Sequence, residues 1–461
     1  MNEADRKSRL SAADKASLLK HYSAPRSPQT AAAQPPRAKA AAVDDYADLE
    51  HYREIELVRS AGKLLGIEDP FFRVHDETAG AETVIGGRRY MNFSSYNYLG
   101  LNGDPRVSAA AKAAIDRYGT SASASRIVSG ERAVHRDLER ALAEILGVED
   151  CVTFVSGHAT NVGVIGHLMS EGDLILHDEL IHNSVIQGAL LARARRISFP
   201  HGDVSAVVRL LAENRARYRR VLVVIEGHYS MEGDIPDLPA FVETTRRHRA
   251  WLMVDEAHSL GVLGPHGFGL ADHFGVEAGS TIWMGTLSKT LAGCGGYIGG
   301  PRKLIEYLKF SAPGFVYSVG MPPPIAAAAL AALEILRREP ERVRRLNANA
   351  RLFLESAKAA NLNTGISSGF GIVPIITGSS IIAGRLSDAL YRRGINVQPI
   401  FYPAVPERMA RLRFFLSSEH TEDQLREAVA AVTEEHAAII ARKLDLPALA
   451  VRLALQRKNG A

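Results

Sequence analysis

A series of short, nearly unbroken apolar runs is the feature that most constrains the fold of this chain. The runs lie at 151–155, 174–176, 221–225, 251–254 and 282–284, bounded by glycine or acidic residues and separated by helical patterns. Such runs are typical of strands buried on both faces, as in a parallel sheet covered by helices. The sequence therefore predicts an α/β fold with its ligand site at the carboxyl ends of the strands.

The remaining patterns suggest four segments. Residues 1–44 form a leader, with a short helix at 10–22 and a linker at 23–42 that is rich in Ala, Pro and Gln and expected to be disordered. An N-terminal segment at 45–94 holds a helix over 46–65 and a hairpin over 82–90. A large domain at 95–325 precedes a small C-terminal α/β domain at 326–445, with strands expected at 373–376, 397–400 and 412–416.

Composition excludes several classes of protein. A net charge of +4 over 461 residues gives no basis for binding nucleic acid. The two cysteines form neither a metal-type spacing nor a disulfide framework, which favours a reducing compartment, so we expect a cytoplasmic protein. The charged start is no secretory signal, and no apolar stretch has the length of a membrane span.

Polar residues follow three of the predicted strands. The run at 251–254 leads to Asp255 and His258, the run at 282–284 leads to Thr286, Ser288 and Lys289, and the run at 151–155 leads to Gly157 and His158. Strand ends of one parallel sheet meet at the same edge, so these groups are expected to lie together.

This set of residues fits pyridoxal phosphate (PLP), which needs three kinds of partner. Lys289 can form a Schiff base, and Asp255 can keep the ring nitrogen protonated. The amides of Gly157 and His158 at a helix start, with the hydroxyls of Thr286 and Ser288, can hold the phosphate.

Competing motifs are incomplete. The sequence DEAH at 255–258 also occurs in helicases, but the phosphate loop that such an ATPase needs is absent from the sequence. His177 and His182 lack the HExxH spacing, so no metal site is expected. A serine hydrolase is disfavoured, because the G-x-S-x-G at 365–369 does not follow an apolar strand-like run, as a nucleophile elbow would.

The sequence resembles the α-oxoamine synthases, a branch of the fold-type I PLP enzymes, from about residue 45 to about residue 438. Nine blocks carry the resemblance: FSSYNYLGL (93–101), GTSASASRIVSGERAVHRDLE (119–139), SGHATN (156–161), DELIHNSVIQG (178–188), EGHYSMEGDIPDL (226–238), MVDEAHSLGVLGPHGFG (253–269), GTLSK (285–289), FVYSVGMPP (315–323) and RLRFFLSSEHT (411–421). The resemblance implies a large PLP-binding domain and a homodimer.

The same resemblance implies roles for individual residues. Lys289 and Asp255 keep the roles given above, while His182 would stack on the cofactor ring. His258 would bond the phenolic oxygen of PLP, with Ser230 nearby. Two further residues are implied: Ser318 would reach the phosphate of the partner subunit's site, and Arg413 would bind the substrate carboxylate, for which a planar guanidinium is suited.

Three departures from the family bear on the substrates. His158 stands where several relatives have an aromatic residue, and Phe401 stands where some have an arginine, which puts a second carboxylate-binding arginine in doubt. Tyr96 before Asn97 resembles serine palmitoyltransferases. We expect both residues to contact substrate and serine to be the favoured amino acid, with alanine or glycine as alternatives.

The implied reaction joins the amino acid to an acyl thioester with loss of carbon dioxide and gives an α-amino ketone. The acyl donor is expected to be coenzyme A or an acyl carrier protein, because the leader loosely resembles segments beside carrier domains. Two rivals remain: an aminotransferase of the same fold, and a regulatory subunit that has kept the fold. The second is disfavoured because Lys289, Asp255, His182 and Arg413 are all present.

Overall fold

The computed structural model describes Tyr46, residues 49–402 and residues 404–442. Contacts divide the chain into two units, Met1–Val58 and Arg59–Ala461. Of the first unit, the structure describes Tyr46 and residues 49–58, which include the start of helix α1 (Glu50–Leu64). The leader helix expected at 10–22 and the linker expected at 23–42 lie outside the described residues.

A seven-stranded sheet forms the centre of the second unit, and its strands are β3 (Asp150–Phe154), β4 (Leu174–Asp178), β5 (Arg195–Phe199), β6 (Val221–Glu226), β7 (Trp251–Asp255), β8 (Ile282–Thr286) and β9 (Gly296–Gly300). Their order in the sheet is β3-β9-β8-β7-β6-β4-β5. The strands β4 to β8 pair in parallel, whereas β9 runs antiparallel to both of its neighbours, β3 and β8. This mostly parallel sheet confirms the predicted α/β class.

Alternate side chains of β6 enter two separate apolar cores. Val221, Val223 and Ile225 lie in one core, and Leu222 and Val224 lie in the other. Both faces of the strand are therefore covered, which explains why its sequence is continuously apolar rather than alternating.

Helices cover both faces of the sheet and connect its strands. Those of the second unit are α2 (Pro105–Tyr118), α3 (Ala133–Leu146), α4 (Gly157–Leu168), α5 (Asn183–Ala192), α6 (Val204–Asn214), α7 (Leu238–Arg247), α8 (Leu270–Phe274), α9 (Arg302–Ser311), α10 (Pro313–Val316), α11 (Pro323–Arg338), α12 (Glu341–Ala359), α13 (Ser380–Arg392) and α14 (Glu422–Ala441).

Strands β5 and β9 are elements that the sequence patterns did not indicate. The sequence of β9, GYIGG, is poor in strand-forming residues, but its glycines have a packing reason. A Cβ atom at Gly296 would lie 2.4 Å from Thr160 Oγ1 and 2.8 Å from the Cα of Gly157. Glycine at this position therefore lets the start of α4 approach the sheet closely.

Two smaller sheets hold the remaining strands: β1 (Glu82–Ile85) and β2 (Arg88–Asn92) with β11 (Ile395–Asn396), and β10 (Ile372–Ile376) and β13 (Arg411–Phe415) with β12 (Pro399–Ile400). The prediction of a single strand at 397–400 is wrong. Ile395 pairs with Met91 whereas Pro399 pairs with Leu412, because the chain passes from one sheet to the other between them.

The domain boundaries remain a proposal. The seven-stranded sheet lies within 95–325 and the β10-β13-β12 sheet lies within 326–445, although α11 crosses the boundary. None of the helices in the described part of the chain is long and apolar enough to span a bilayer.

Candidate active site

The carboxyl ends of β6, β7 and β8 open onto a small cavity of about 80 Å³. Seven of the residues singled out from the sequence line it: Gly157, His158, His182, Asp255, His258, Thr286 and Lys289. Its other lining residues are Asn161, Ser184, Glu226, Ala257 and Met284. The edge of the parallel sheet thus brings the expected groups together, as the topology requires.

Asp255, the last residue of β7, is buried and fixed through both carboxylate oxygens. Asn161 Nδ2 donates to Oδ2 over 2.7 Å, and the amide of Ala257 donates to Oδ1 over 3.0 Å. These donors set the direction of the carboxylate without neutralising its charge. It can therefore face a protonated ring nitrogen.

His182 caps the start of α5 and is linked to Asp255 through two further side chains. Its Nδ1 lies 2.7 Å from Ser184 Oγ, and Asn161 Nδ2 donates to the same hydroxyl over 2.9 Å. Burial lowers the pKa of His182, so its ring is neutral near pH 7. The ring of His158 lies edge-on to it, with 6.3 Å between the centroids.

His258 is buried beside Tyr98, a residue that the sequence analysis did not single out. The Tyr98 hydroxyl lies 2.7 Å from His258 Nδ1. Burial, followed by the nearby charge of Lys289, holds the pKa of His258 well below 6.5, and burial raises the pKa of Tyr98. With Tyr98 donating to Nδ1, the imidazole carries its proton on Nε2, which can donate to a ligand oxygen.

Lys289 lines this cavity and also a larger one of about 320 Å³. Burial lowers its pKa to about 8, against the opposing effect of the carboxyl groups of Asp255 and Glu226. A substantial fraction of its amine is therefore neutral near pH 7.5. A neutral amine is the form that attacks an aldehyde and accepts a proton.

The start of α4 and the Thr286 turn form a compact polar pocket. Ser156 caps the helix and accepts from the Ala159 amide over 3.3 Å, so the amides of Gly157 and His158 are the first-turn donors available to a ligand. Thr286 Oγ1 bonds the carbonyl of Gly295 over 2.8 Å.

Ser288 and Gly157 also shape this pocket. Ser288 Oγ lies 3.1 Å from Thr286 Oγ1, which places a second hydroxyl at the turn. A Cβ atom at Gly157 would lie 2.8 Å from Thr286 Oγ1, so a side chain there would fill the pocket. Ser318, by contrast, lines neither cavity, and its hydroxyl bonds the carbonyl of Val319 over 3.2 Å. Its expected role in a partner subunit stays a prediction.

Arg413 and Ser230 line neither cavity and contact each other. Arg413 Nη1 donates to the carbonyl of Ser230 over 3.0 Å, and its guanidinium lies 4.6 Å from the centre of the Phe415 ring. The charge of Arg413 is close enough to lower the pKa values of Lys289 and His258.

Tyr96 and Asn97 line the larger cavity. The Lys289 amine lies 5.7 Å from the centre of the Tyr96 ring, which is partly exposed. The side-chain amide of Asn97 makes two bonds to the backbone of Asn102, of 3.1 and 3.0 Å. Both remain proposed substrate residues, Tyr96 by contact and Asn97 through the loop that it holds.

The residues present fit PLP. The cavity offers a lysine with a lowered pKa, a fixed carboxylate, a neutral histidine and a polar pocket at a helix start. A mostly parallel sheet with these groups at its carboxyl edge defines a PLP-dependent enzyme of fold type I.

Comparisons with known proteins agree with this class. The sequence pattern of the family "aminotransferase class I and II" matches residues 88–432. An 8-amino-7-oxononanoate synthase of Symbiobacterium thermophilum is 43% identical over 349 residues, which cover 76% of this chain and 89% of that protein.

Solved structures give the same result. A serine palmitoyltransferase of Sphingomonas wittichii has a TM-score of 0.81 and 30% identity, covering 85% of this chain and 98% of that one. A high-resolution structure of SPT with a PLP internal aldimine has a TM-score of 0.79 and 30% identity, covering 85% of this chain and 99% of that one. This chain belongs to the aminotransferase class I and II family and, within it, to the PLP-dependent α-oxoamine synthases. The fold class, cofactor and enzyme class predicted from the sequence are confirmed.

Proposed function

We propose that this enzyme condenses an L-amino acid, with serine favoured over alanine or glycine, with an acyl thioester. Carbon dioxide is lost and an α-amino ketone is formed. The observation that carries the proposal is the position of Lys289, which lies where the small and large cavities meet. The small cavity holds the groups that fit PLP, and the larger one offers space for substrates beside the lysine.

Each residue would contribute one physical task. PLP, when bound, supplies an electron sink for the carbanion at the substrate's α-carbon. Lys289, in its neutral form, would remove the α-proton and later return a proton to that carbon. His182 would hold the reacting groups in the orientation that the bond cleavage requires.

Arg413 is the proposed carboxylate-binding residue. One of its terminal nitrogens is committed to the carbonyl of Ser230, while its buried Nε has no partner among the described residues. The guanidinium therefore keeps donors for a planar anion, which it can bind through two parallel bonds. Fixing the carboxylate would also fix which bond of the α-carbon stands perpendicular to the cofactor ring.

Phe401 lines neither cavity. Its ring packs edge-on against Phe71, with 6.0 Å between the centroids, so an apolar contact occupies the position where some relatives have an arginine. This contact gives no support to a second carboxylate-binding arginine. The 43% identity with an 8-amino-7-oxononanoate synthase supports a second candidate, formation of 8-amino-7-oxononanoate, whose acyl end is a carboxylate.

An absorbance titration of the PLP-bound enzyme tests the proposal. Glycine, L-alanine, L-serine and L-glutamate are added separately, followed by acyl-coenzyme A thioesters of several lengths and their carrier-bound forms. We expect L-serine to change the spectrum saturably. Adding a thioester to the serine-bound enzyme should then cause carbon dioxide to be released. If L-alanine with a carboxylate-ended thioester is the productive pair, the second candidate holds. Keto-acid-dependent transfer of the amino group without a thioester would establish an aminotransferase instead.

We also propose a cytoplasmic homodimer. Exposed apolar side chains support an interface, because Tyr317 and Val319, which flank Ser318, are 85% and 51% exposed and Phe310 is 75% exposed in the single chain. Both cysteines are free thiols, which fits a reducing compartment. Light scattering gives the number of chains, and cell fractionation gives the compartment.

The contribution of Ser318 can be tested by mixing two inactive proteins. If Ser318 serves the partner subunit's site, a mixture of Lys289→Ala and a Ser318 variant forms hybrid dimers in which one site regains both residues. Recovery of activity on mixing supports this role. An acyl carrier protein as donor is tested separately, by comparing the full chain with one that lacks residues 1–44.

A further inference from the structure

Glu226 is a buried carboxyl group in the PLP cavity to which the proposed mechanism assigns no task. It is the last residue of β6, is 4% exposed, and lies directly opposite Asp255 in the register of β6 and β7. It also lines the small cavity with Lys289 and His258. Two carboxyl groups therefore stand side by side at the edge of the sheet.

The two oxygens of Glu226 differ in their surroundings. The amide of Ser230 donates to Oε2 over 3.1 Å, whereas the buried Oε1 has no hydrogen-bond partner among the described residues. Asp255, in contrast, has a donor at each oxygen. An ionised carboxylate with a bare buried oxygen is costly, but a carboxylic acid with its proton on Oε1 needs only an acceptor.

Electrostatics favour the protonated form. Burial, followed by the neighbouring charge of Asp255, raises the pKa of Glu226 to about 8. Three other polar groups favour its ionisation: the charge of Lys289, the Ser230 amide that donates to Oε2, and the nearby His182 amide, which makes no hydrogen bond to Oε1. The acid form still predominates near pH 7, so Glu226 is a hydrogen-bond donor there.

We propose that Glu226, protonated on Oε1, donates a hydrogen bond to the phenolic oxygen of bound PLP. The acceptor follows from elimination among the polar atoms of the cofactor. The phosphate would lie in the polar pocket at Gly157 and Thr286, and the protonated ring nitrogen would face Asp255 and could not accept. The phenolic oxygen, which has lone pairs for a second donor beside His258, is the acceptor that remains on the ring. Asp255 would thus accept a hydrogen bond from the ring nitrogen, and Glu226 would donate one to the phenolic oxygen.

The test is the dissociation constant of PLP, measured by titrating the apoenzyme and following absorbance. Glu226→Met fills a similar volume but cannot donate, whereas Glu226→Gln keeps a neutral N–H donor. We expect the methionine variant to bind PLP about 10- to 100-fold more weakly, as for loss of a donor to an ionised acceptor. The glutamine variant should stay within about threefold of the wild-type value.

Glu256 provides the matched control. It is also a buried carboxyl group with a raised pKa next to Asp255, but it accepts from the Ser259 hydroxyl and from the Leu270 amide and does not line the cavity. We expect Glu256→Gln to lower the melting temperature without weakening PLP binding.

A second readout is the pH midpoint of the visible absorbance of bound PLP. Loss of the donor leaves more negative charge on the phenolic oxygen, so the nitrogen that joins Lys289 to PLP should hold its proton to higher pH. The midpoint should rise in Glu226→Met and change little in Glu226→Gln. Unchanged affinity and midpoint in folded Glu226→Met would overturn the proposal. Equal losses in the methionine and glutamine variants would also overturn it, because the ionised carboxylate would then be the required form.

Discussion

The two cavities that meet at Lys289 are built in different ways. In the small cavity the side chains hold one another: His182 contacts Ser184, Ser184 contacts Asn161, and Asn161 contacts Asp255. Apart from Lys289 and His75, the larger cavity is lined by uncharged residues, drawn mainly from the segments 92–102 and 288–293. The first is a fixed constellation of charges and donors, and the second is a space bounded by loops.

This difference explains why the cofactor is better defined than the substrates. A network of buried, mutually bonded groups fits few ligands, because each polar atom must find a complementary atom. A loop-lined space of about 320 Å³ with few charges imposes fewer such requirements on a ligand. Variants that alter one cavity and not the other therefore test whether the small cavity serves the cofactor and the larger one the substrates.

Lys289→Ala should have the largest effect, because Lys289 is the residue that the two cavities share. We expect turnover to fall by roughly 10⁴-fold or more, since both the covalent link to PLP and the proton transfer are lost. Carbon dioxide release under multiple-turnover conditions measures this. The matched control is Lys303→Ala on α9, an exposed lysine, which should keep wild-type activity. Appreciable multiple turnover by the Lys289 variant would contradict the assignment.

Asp255→Asn should come next, through the small cavity alone. A neutral amide cannot keep the ring nitrogen protonated, and a buried cation would lose its partner, so kcat should fall by about 10²- to 10³-fold. Asp272→Asn is the control, because Asp272 accepts from the amides of His266 and Phe268 and lines neither cavity. If Asp255→Asn instead raises KM alone and leaves kcat unchanged, the aspartate acts in substrate binding rather than on the cofactor.

Much of the small cavity could be predicted from the sequence, because its residues follow strands whose carboxyl ends lie close together. Asp255, Thr286 and Lys289 lie within a few residues of unbroken apolar runs, so topology alone brings them together. The assignment of His182 and Arg413 needed the family resemblance. No periodic pattern links a histidine ahead of α5 to an arginine within β13.

The missed residues depend on contacts between distant parts of the chain. Asn161 bonds Asp255 across 94 positions, and Tyr98 bonds His258 across 160. Both lie inside sequence blocks that carried the resemblance, as does Glu226, but a block does not tell which of its polar side chains turns towards the cavity. That direction is set by tertiary packing.

The pH dependence of PLP uptake should show a moderate effect that belongs to Lys289. Burial lowers its pKa from 10.5 to about 8. The fraction of the amine that is neutral and reactive therefore rises with pH, and deprotonation is nearly complete above about pH 9. The rate of PLP incorporation into the apoenzyme should rise about eightfold between about pH 6.5 and about pH 7.5, rise roughly fourfold more up to about pH 9, and then flatten. Stopped-flow absorbance measures it. Asp255→Asn should move the midpoint lower, because the aspartate raises this pKa. A rate that keeps rising beyond about pH 10 would indicate an ordinary lysine.

Asn97→Ala should have the smallest catalytic effect, because Asn97 acts on the larger cavity through the loop. Loss of its two bonds to Asn102 should reduce the free energy of unfolding by about 1–3 kcal/mol, while the KM for the amino acid changes less than about threefold. Thermal unfolding and steady-state kinetics measure the two quantities. Tyr96→Ala is the contrasting variant: its partly exposed ring should affect KM more than stability. If Asn97→Ala instead raises KM about tenfold with an unchanged melting temperature, Asn97 contacts the substrate itself, and the larger cavity is as specifically built as the smaller one.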